Sequence, residues 1–340
     1  MNKAPKYALT GALAVGLGNA LYNAIQQPNN QNSEQKFDWI ECFAAFCKGA
    51  LVGGAAGFAI GYVRDNEMTS ILSSIGGLDR VVENVLEEYS DTCTFLERKA
   101  EKIQRLLYAE FQEELNKYPT INGSAERDTA IVGSDIDIQL KLKKEAVFID
   151  EMKPLIMDFL IGLKDRHLEK IRDQEYSIGL FFRYKGEVKR IDVVPTRAVY
   201  NDKDQVYIYS SVSKKIRKTN PVKQSQALRF TEKQRKIIKI LKGWKKENNL
   251  KLPSVLIEHL VKRAFSELRI SRGLSNSLLD VLEYIASRIK SIRIVDPANS
   301  NNIISNCLTL QEKKEISNFC FQMVNSIKRD ERNILDYFKI

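Results

Sequence analysis

Between Ala130 and Leu142 the chain alternates. Ile136, Ile138, Leu140 and Leu142 fall on one side, and Asp135, Asp137, Gln139 and Lys141 on the other. A period of two marks a half-buried strand, so both carboxylates leave the backbone on the same face. A second stretch runs from Ser177 to Tyr184, turns at Lys185–Gly186 and returns from Glu187 to Val194, which predicts a hairpin. On the return strand Asp192 sits between Ile191 and Val193, so its carboxylate points away from the apolar side. Helical spacing takes over elsewhere. Val81, Val82, Val85, Leu86 and Tyr89, then Ile103, Leu106, Leu107, Phe111 and Leu115, predict a long amphipathic helical region over 78–118. From 225 to 340 the pattern is again mostly helical, with an interruption at 293–300.

The first 65 residues follow another rule. Ala8, Ala12, Gly16, Ala20 and Ala24 recur at every fourth position, and so do Gly49, Gly53, Gly57 and Gly61. Each series lays small residues along one helix stripe, and the polar connector 26–35 would join the two into a hairpin packed backbone to backbone. Two readings fit. In one, residues 7–63 contact or cross a membrane, with Lys3, Lys6 and Arg64 on the cytosolic side. In the other, the hairpin stays in water and docks or makes a homo-oligomer. Glu41 and Lys48 interrupt its second half and leave fifteen uncharged residues after Lys48, fewer than the roughly 20 that a span needs. The expected location is a cytoplasmic catalytic part, with inner-membrane association resting on this hairpin. No signal peptide is expected, because no cleavage site closes the first segment.

Composition narrows the classes. A chain of 340 residues with 44% apolar content has enough side chains for a substantial core. The net charge of +10 is concentrated: Lys214 to Lys251 holds fourteen Lys or Arg against Glu232 and Glu247, leaving the remainder slightly acidic. That block fits a solvated helix face, or a surface that attracts nucleotides, an oligonucleotide product or RNA through phosphate charge. The five cysteines contain no C-x-x-C pair and fit reduced, buried thiols in a cytosolic compartment. With only His167 and His259 available, a histidine-based zinc site or a Ser-His-Asp triad is not expected.

The chemistry lies in the carboxylates. Asp135 and Asp137 follow a Gly123–Ser124 turn, and Asp192 comes from a separate strand. Oxygen ligands of this kind suit hard Mg2+ or Mn2+. Two such ions about 4 Å apart would clamp the attacking and leaving oxygens of a phosphoryl transfer.

Four segments resemble the DNA polymerase β-like nucleotidyltransferase superfamily, nearest to the cGAS/DncV-like (CD-NTase) and oligoadenylate-synthetase-like members of bacterial antiphage defence. They are Gly123–Ser124 through Asp135–Ile136–Asp137, the strand Arg190–Ile191–Asp192, Thr219–Asn220–Pro221, and Leu241–Lys242 through Trp244 to Pro253. The likeness covers 79–340 and also extends to the nucleotidyltransferase of Hailong systems, which makes DNA oligomers and is paired with a membrane channel. It implies an α+β fold, with a mixed sheet and spine helix over 79–200 and a mostly helical nucleotide-binding lobe over 201–340, to which the small-residue hairpin of 1–65 is added. It implies catalytic and metal-binding roles for Asp135, Asp137 and Asp192, and nucleotide contacts from Gly123, Ser124, Arg127, Asn220 and Lys242. Relatives have Gly where this chain has Asp128, a residue type that also tolerates left-handed turns. Tyr207 and Tyr209 fit either base stacking or strand packing. Tyr337 fits either terminal-helix packing or the priming hydroxyl of a linear polymer. The implied product is a cyclic or linear oligonucleotide made from NTPs or dNTPs, with a membrane effector downstream. The alternatives are a nucleotidyl-transferring toxin acting on tRNA or protein, Tyr-primed DNA oligomer synthesis, and a non-enzymatic scaffold.

Overall fold

The computed structural model describes residues 77–90 and 94–338. The hairpin expected over 1–65, with its membrane and oligomer readings, lies outside the described residues, as do Cys42, Cys47 and Cys93. The chain divides at Arg80, and residues 81–340 form one compact unit. Among the described residues no helix is long and apolar enough to cross a membrane.

The amphipathic region becomes two helices, α1 (Leu78–Ser90) and α2 (Thr94–Phe111). Strand β1 (Thr120–Asn122) runs directly into one helical turn, α3 (Gly123–Glu126), and β2 (Ile136–Leu142) follows. Helix α4 (Ile149–Ile161) then leads into β3 (Leu168–Asp173), β4 (Ile178–Tyr184), β5 (Glu187–Val199), β6 (Asp202–Ser210) and β7 (Lys215–Thr219). The strands form one mixed sheet in the order β1-β2-β5-β4-β3, with β6 paired to β5 and β7 to β6. Only β2 and β5 run parallel; the other pairs are antiparallel. The expected hairpin is β4–β5. Tyr184 pairs with Glu187, and both loop residues have positive φ, 50° at Lys185 and 81° at Gly186. That is a type I′ turn, whose twist matches the strands it joins.

The alternation in β2 decides which face is wet. Ile138, Leu140 and Leu142 join Leu180, Ile191 and Val193 in a fully buried layer. Helices α2, through Ile103 and Leu107, and α4, through Met152, Ile156 and Leu160, belong to the same core. Burying each such side chain contributes about 1.5–3 kcal/mol, which fixes the register of β2 and β5. A slip of one residue would turn the whole apolar set outward, so the carboxylates are held on the other face.

The remaining chain is mainly helical. Helix α5 (Pro221–Ala227) is followed by α6 (Glu232–Glu247), α7 (Ser254–Glu267) and α8 (Leu274–Arg288). A short hairpin, β8 (Val295–Asp296) with β9 (Asn299–Ile303), fills the interruption and precedes α9 (Leu310–Arg329). Capping boxes open α6 (Thr231 with Gln234) and α9 (Thr309 with Glu312), each satisfying two backbone N–H groups. Trp244, fully buried on α6, stands 5.6 Å from Phe319 of α9. Cys320 is buried, but Cys307 is exposed at the end of the 3-10 turn Ile304–Cys307, which corrects the expectation of buried thiols.

Candidate active site

Register sets the geometry of the acidic face. Asp137 of β2 and Asp192 of β5 are direct partners across the parallel pair, and Asp135 immediately precedes β2. Asp192 is 7% exposed, and its Oδ1 is buried with no hydrogen-bond partner. Opposite lies Gly123, at φ 73°, where a side chain would place Cβ 2.2 Å from Asp137 Oδ2. Glycine is therefore required twice over at this position, by backbone conformation and by the approach of the carboxylate. Replacing it by alanine is expected to displace the Asp137 carboxylate and weaken Mn2+ binding while leaving the chain folded; circular dichroism with calorimetric titration tests this, and an unchanged affinity contradicts it.

Sequence reasoning passed over Arg190. Its guanidinium donates to Asp135 and lies 3.5 Å from Asp192 Oδ2, between the two carboxylates. Among the described residues no three His, Cys, Asp or Glu side chains are grouped closely enough to hold a metal ion. The strands bring the three carboxylates to one face, with the Arg190 guanidinium between Asp135 and Asp192. Neighbouring carboxylates repel at short range, and the guanidinium relieves that repulsion. The donor set itself suits a hard cation, being all oxygen with one buried oxygen unpartnered. Replacement of Arg190 by Gln removes the competing charge, so Mn2+ should bind the Arg190→Gln chain about tenfold more tightly, a difference of ~1.4 kcal/mol. Calorimetric titration checks this, and an unchanged or weaker affinity counts against it.

Burial pushes the Asp192 carboxyl up to about 6. The charges of Asp135 and Asp137 act in the same direction, and Arg190 opposes them. Burial, followed by Asp135, raises Asp137 as well. A carboxyl whose folded pKa exceeds its unfolded value holds an extra proton in the folded state over the interval between the two. Its stabilising effect is present at low pH and is lost as pH rises towards 6, by on the order of 2–3 kcal/mol. In chelator, Asp192→Asn should remove this pH dependence and melt higher than the parent at pH 7.5. Parallel melting curves across pH would contradict the assignment.

Asp135 and Asp137 open onto a cavity of about 390 Å3, whose walls also include Gly123, Ser124, Lys245 and Lys246; Asp192 does not line it. Ser254 and Val255, at the start of α7, also line it. Lys245, Lys246, Ser254 and Val255 were missed from sequence. One signal was present: Lys246 lies one helical turn beyond Lys242, on the same face of α6. Lys242 itself reaches the cavity, but its ammonium is saturated. It donates to Glu258 at 2.7 Å, to Thr129 O at 2.9 Å and to Thr129 Oγ1 at 3.1 Å, using all three of its N–H groups. Glu258 also accepts from Arg127 at 2.9 Å and from Thr129 Oγ1 at 2.7 Å. Burial opposes the charge on Glu258, yet Lys242 and Arg127 hold its carboxyl below the usual range. Asp128 adopts the left-handed conformation at φ 52° and bonds Lys239 at 2.7 Å, with Arg235 at 3.3 Å.

Four other sequence candidates are placed away from this cavity. Asn220 is buried as the N-cap of α5, its side chain accepting from Lys223 N at 2.9 Å. Tyr207 and Tyr209 are partly buried and pack against the core of the sheet. Tyr337 sets its ring edge-on to Phe319 at 5.8 Å, a terminal packing contact.

No protein-family model matches the sequence, and the comparison with curated proteins returns no match. Solved structures do match. The Bradyrhizobium diazoefficiens CD-NTase CdnG, in complex with GTP, superposes with TM-score 0.60 at 12% identity, over 76% of this chain and 93% of its own. The Vibrio cholerae DncV cyclic AMP-GMP synthase, in complex with the linear intermediate 5′ pppA(3′,5′)pG, gives 0.54 at 13% identity over 81% and 91%. The mtPAP complex with ATPγS gives 0.56 at 10% identity over 80% and 73%. At such identities the likeness is one of fold: this chain shares with CdnG, DncV and mtPAP an α+β architecture of a mixed sheet and a helical lobe.

Proposed function

We propose that this chain is a template-independent nucleotidyltransferase that uses Mg2+ or Mn2+ to join NTPs or dNTPs into a cyclic or linear oligonucleotide, releasing pyrophosphate. One observation carries the reading: Asp137, the register partner of Asp192 on the neighbouring parallel strand, lines with Asp135 a cavity whose other walls include the Gly123–Ser124 turn, Lys245 and Lys246.

The Gly123–Ser124 turn presents backbone N–H groups and a hydroxyl to the triphosphate, and Gly123 lets the chain approach it closely. Lys245, Lys246 and Ser254 take the phosphate role first assigned to Lys242, whose ammonium is spent on Glu258 and Thr129. Asp135, Asp137 and Asp192 would hold the divalent cations, which when bound neutralise phosphate charge and activate the attacking hydroxyl. Asp192 would also take up the proton of the attacking hydroxyl. A neighbouring cavity of about 570 Å3 shares Arg127 and Val255 with the first, and its apolar walls, including Leu228, Pro253 and Pro297, suit the base. The nucleotide-bound CdnG and DncV structures support the substrate class, and the sequence resemblance to members of bacterial antiphage defence supports a signalling role there.

The test is incubation of the full chain with each labelled ribo- and deoxyribonucleoside triphosphate and Mg2+ or Mn2+, with products sized by mass spectrometry. Phosphodiester-linked products are expected. Release of no pyrophosphate from any of them overturns the reading, and label on tRNA or protein alone would redirect it to a macromolecule-modifying enzyme.

A further inference from the structure

The two oxygens of Asp192 have different neighbours. Oδ2 lies 3.5 Å from the Arg190 guanidinium, whereas Oδ1 is buried without a hydrogen-bond partner among the described residues. Directly across the β4–β5 pairing from Asp192 stands Gly179. A side chain there would drive its Cβ into Gln174 Nε2 and bring it within 3.2 Å of Asp192 Oδ1. The amide nitrogen of Gln174 and the free oxygen of Asp192 therefore flank one slot, kept open by the missing side chain. Gly179 does not adopt positive φ, so space alone asks for glycine at this point of the strand.

Gln174 belongs to the turn between β3 and β4, and it is fixed at both ends. Ser177 Oγ donates to Gln174 Oε1 at 3.0 Å, and Gln174 N donates to Ser177 O at 2.9 Å. With its carbonyl taken by the hydroxyl, the amide turns its NH2 group to the slot, the end from which a carboxylate can accept. Lys153 of α4 holds the backbone. Its ammonium is buried, donates to Gln174 O at 2.6 Å and to Ser211 Oγ at 2.7 Å, and pairs with Asp173 at 2.8 Å. Burying a lysine is costly unless it is paired, and this one does not line the catalytic cavity. It ties α4 and the β6–β7 turn to the turn that carries Gln174. The Gln174 amide also counters the upward pull of burial on the Asp192 carboxyl.

We propose that Gln174 is a positioning residue whose amide closes onto Asp192 Oδ1 and holds that carboxylate in place for a divalent cation. A carboxylate oxygen offers two lone pairs, so Oδ1 can accept from the amide and still meet the cation. Arg190 and Gln174 then act oppositely on Asp192. The guanidinium competes with the cation by charge, while the neutral amide orients the ligand without repelling the metal. This role rests on the proposed reading of Asp135, Asp137 and Asp192 as cation ligands.

The test is calorimetric titration of the full chain with Mn2+, alongside melting in EDTA. Gln174→Leu keeps the bulk and removes the donor, so Mn2+ affinity should fall about tenfold or more, the usual effect of losing a partner behind a metal ligand. Gln174 is only partly buried, so the variant should still fold. Gln174→Ser, too short to reach the slot, should show the same loss, and it decides the matter if the leucine variant does not fold. Ser177→Ala breaks the same side-chain hydrogen bond but keeps the amide, so its loss should be smaller, about threefold or less. Unchanged affinity in the Gln174 variants overturns the proposal. So does an equal loss in Ser177→Ala, which would put the effect in the turn and not in the donor. A parent that binds no Mn2+ defeats the cation reading of the three carboxylates, and this role with it. A parent that binds Mn2+ no better than its Gln174 variants defeats the role of Gln174 alone.

Discussion

Asp135→Asn combined with Asp137→Asn is expected to lower pyrophosphate release by on the order of 10^3-fold or more, to the background of the assay. Two negative charges vanish from the face on which the register sets Asp137 against Asp192. Little else changes, because Asn has nearly the shape of Asp. The fold should not suffer: burial and like charge raise the Asp137 carboxyl, so its ionised form is disfavoured in the native state. The double variant is therefore expected to melt at or above the parent temperature in chelator. This pairing separates chemistry from folding. A dead variant with an intact melting transition supports catalytic carboxylates; a dead variant that no longer folds shows nothing about them. Turnover within threefold of the parent removes these two residues from the mechanism.

The strands were legible because their sequence carries two independent signals. In β2 the apolar period of two is uninterrupted, in β5 Ile191 and Val193 flank Asp192, and the Lys185–Gly186 pair supplies turn chemistry, so face and pairing followed together. Strand β6 was harder to see. Val206 is fully buried, but Tyr207 and Tyr209 on the other side also pack against apolar surface, so the polar half of the alternation is missing. The two tyrosines then looked available for a base. Arg190 was missed for a different reason: in sequence it is only an arginine beside a strand, and its meaning comes from Asp135, brought beside it by β2–β5 pairing. Lys242 is the converse case. Its motif position was legible, but the saturation of its ammonium depends on Glu258, sixteen residues away on the next helix. Periodicity reports which side chains face the core, and long-range charge partners lie outside what it encodes.

Glu258→Ala should be the most destabilising single change, at about 3–5 kcal/mol. Glu258 is 1% exposed and is the carboxylate partner of two cations: Lys242 from α6, itself 3% exposed, and Arg127 from the segment after α3. Removing the carboxylate leaves a buried ammonium with only the neutral oxygens of Thr129 as partners. The cost therefore comes from the orphaned charge more than from the lost attraction, and that distinction is testable. Glu258→Leu combined with Lys242→Met removes both buried charges and should recover most of the loss, even though it breaks the same ion pair. Urea denaturation of the parent, the single variant and the double variant measures each step. Asp128→Ala provides the contrast, because its partners Lys239 and Arg235 keep access to water. Its ion pairs should contribute about 0–1 kcal/mol, with a further small cost from forcing alanine into the left-handed turn at φ 52°. If Glu258→Ala costs less than about 1 kcal/mol, or if the double variant is no more stable than the single one, the network does not anchor Arg127 and Lys242 as described. In that case Lys242 would be free to turn towards the phosphates, and the role given to Lys245 and Lys246 would have to be shared with it.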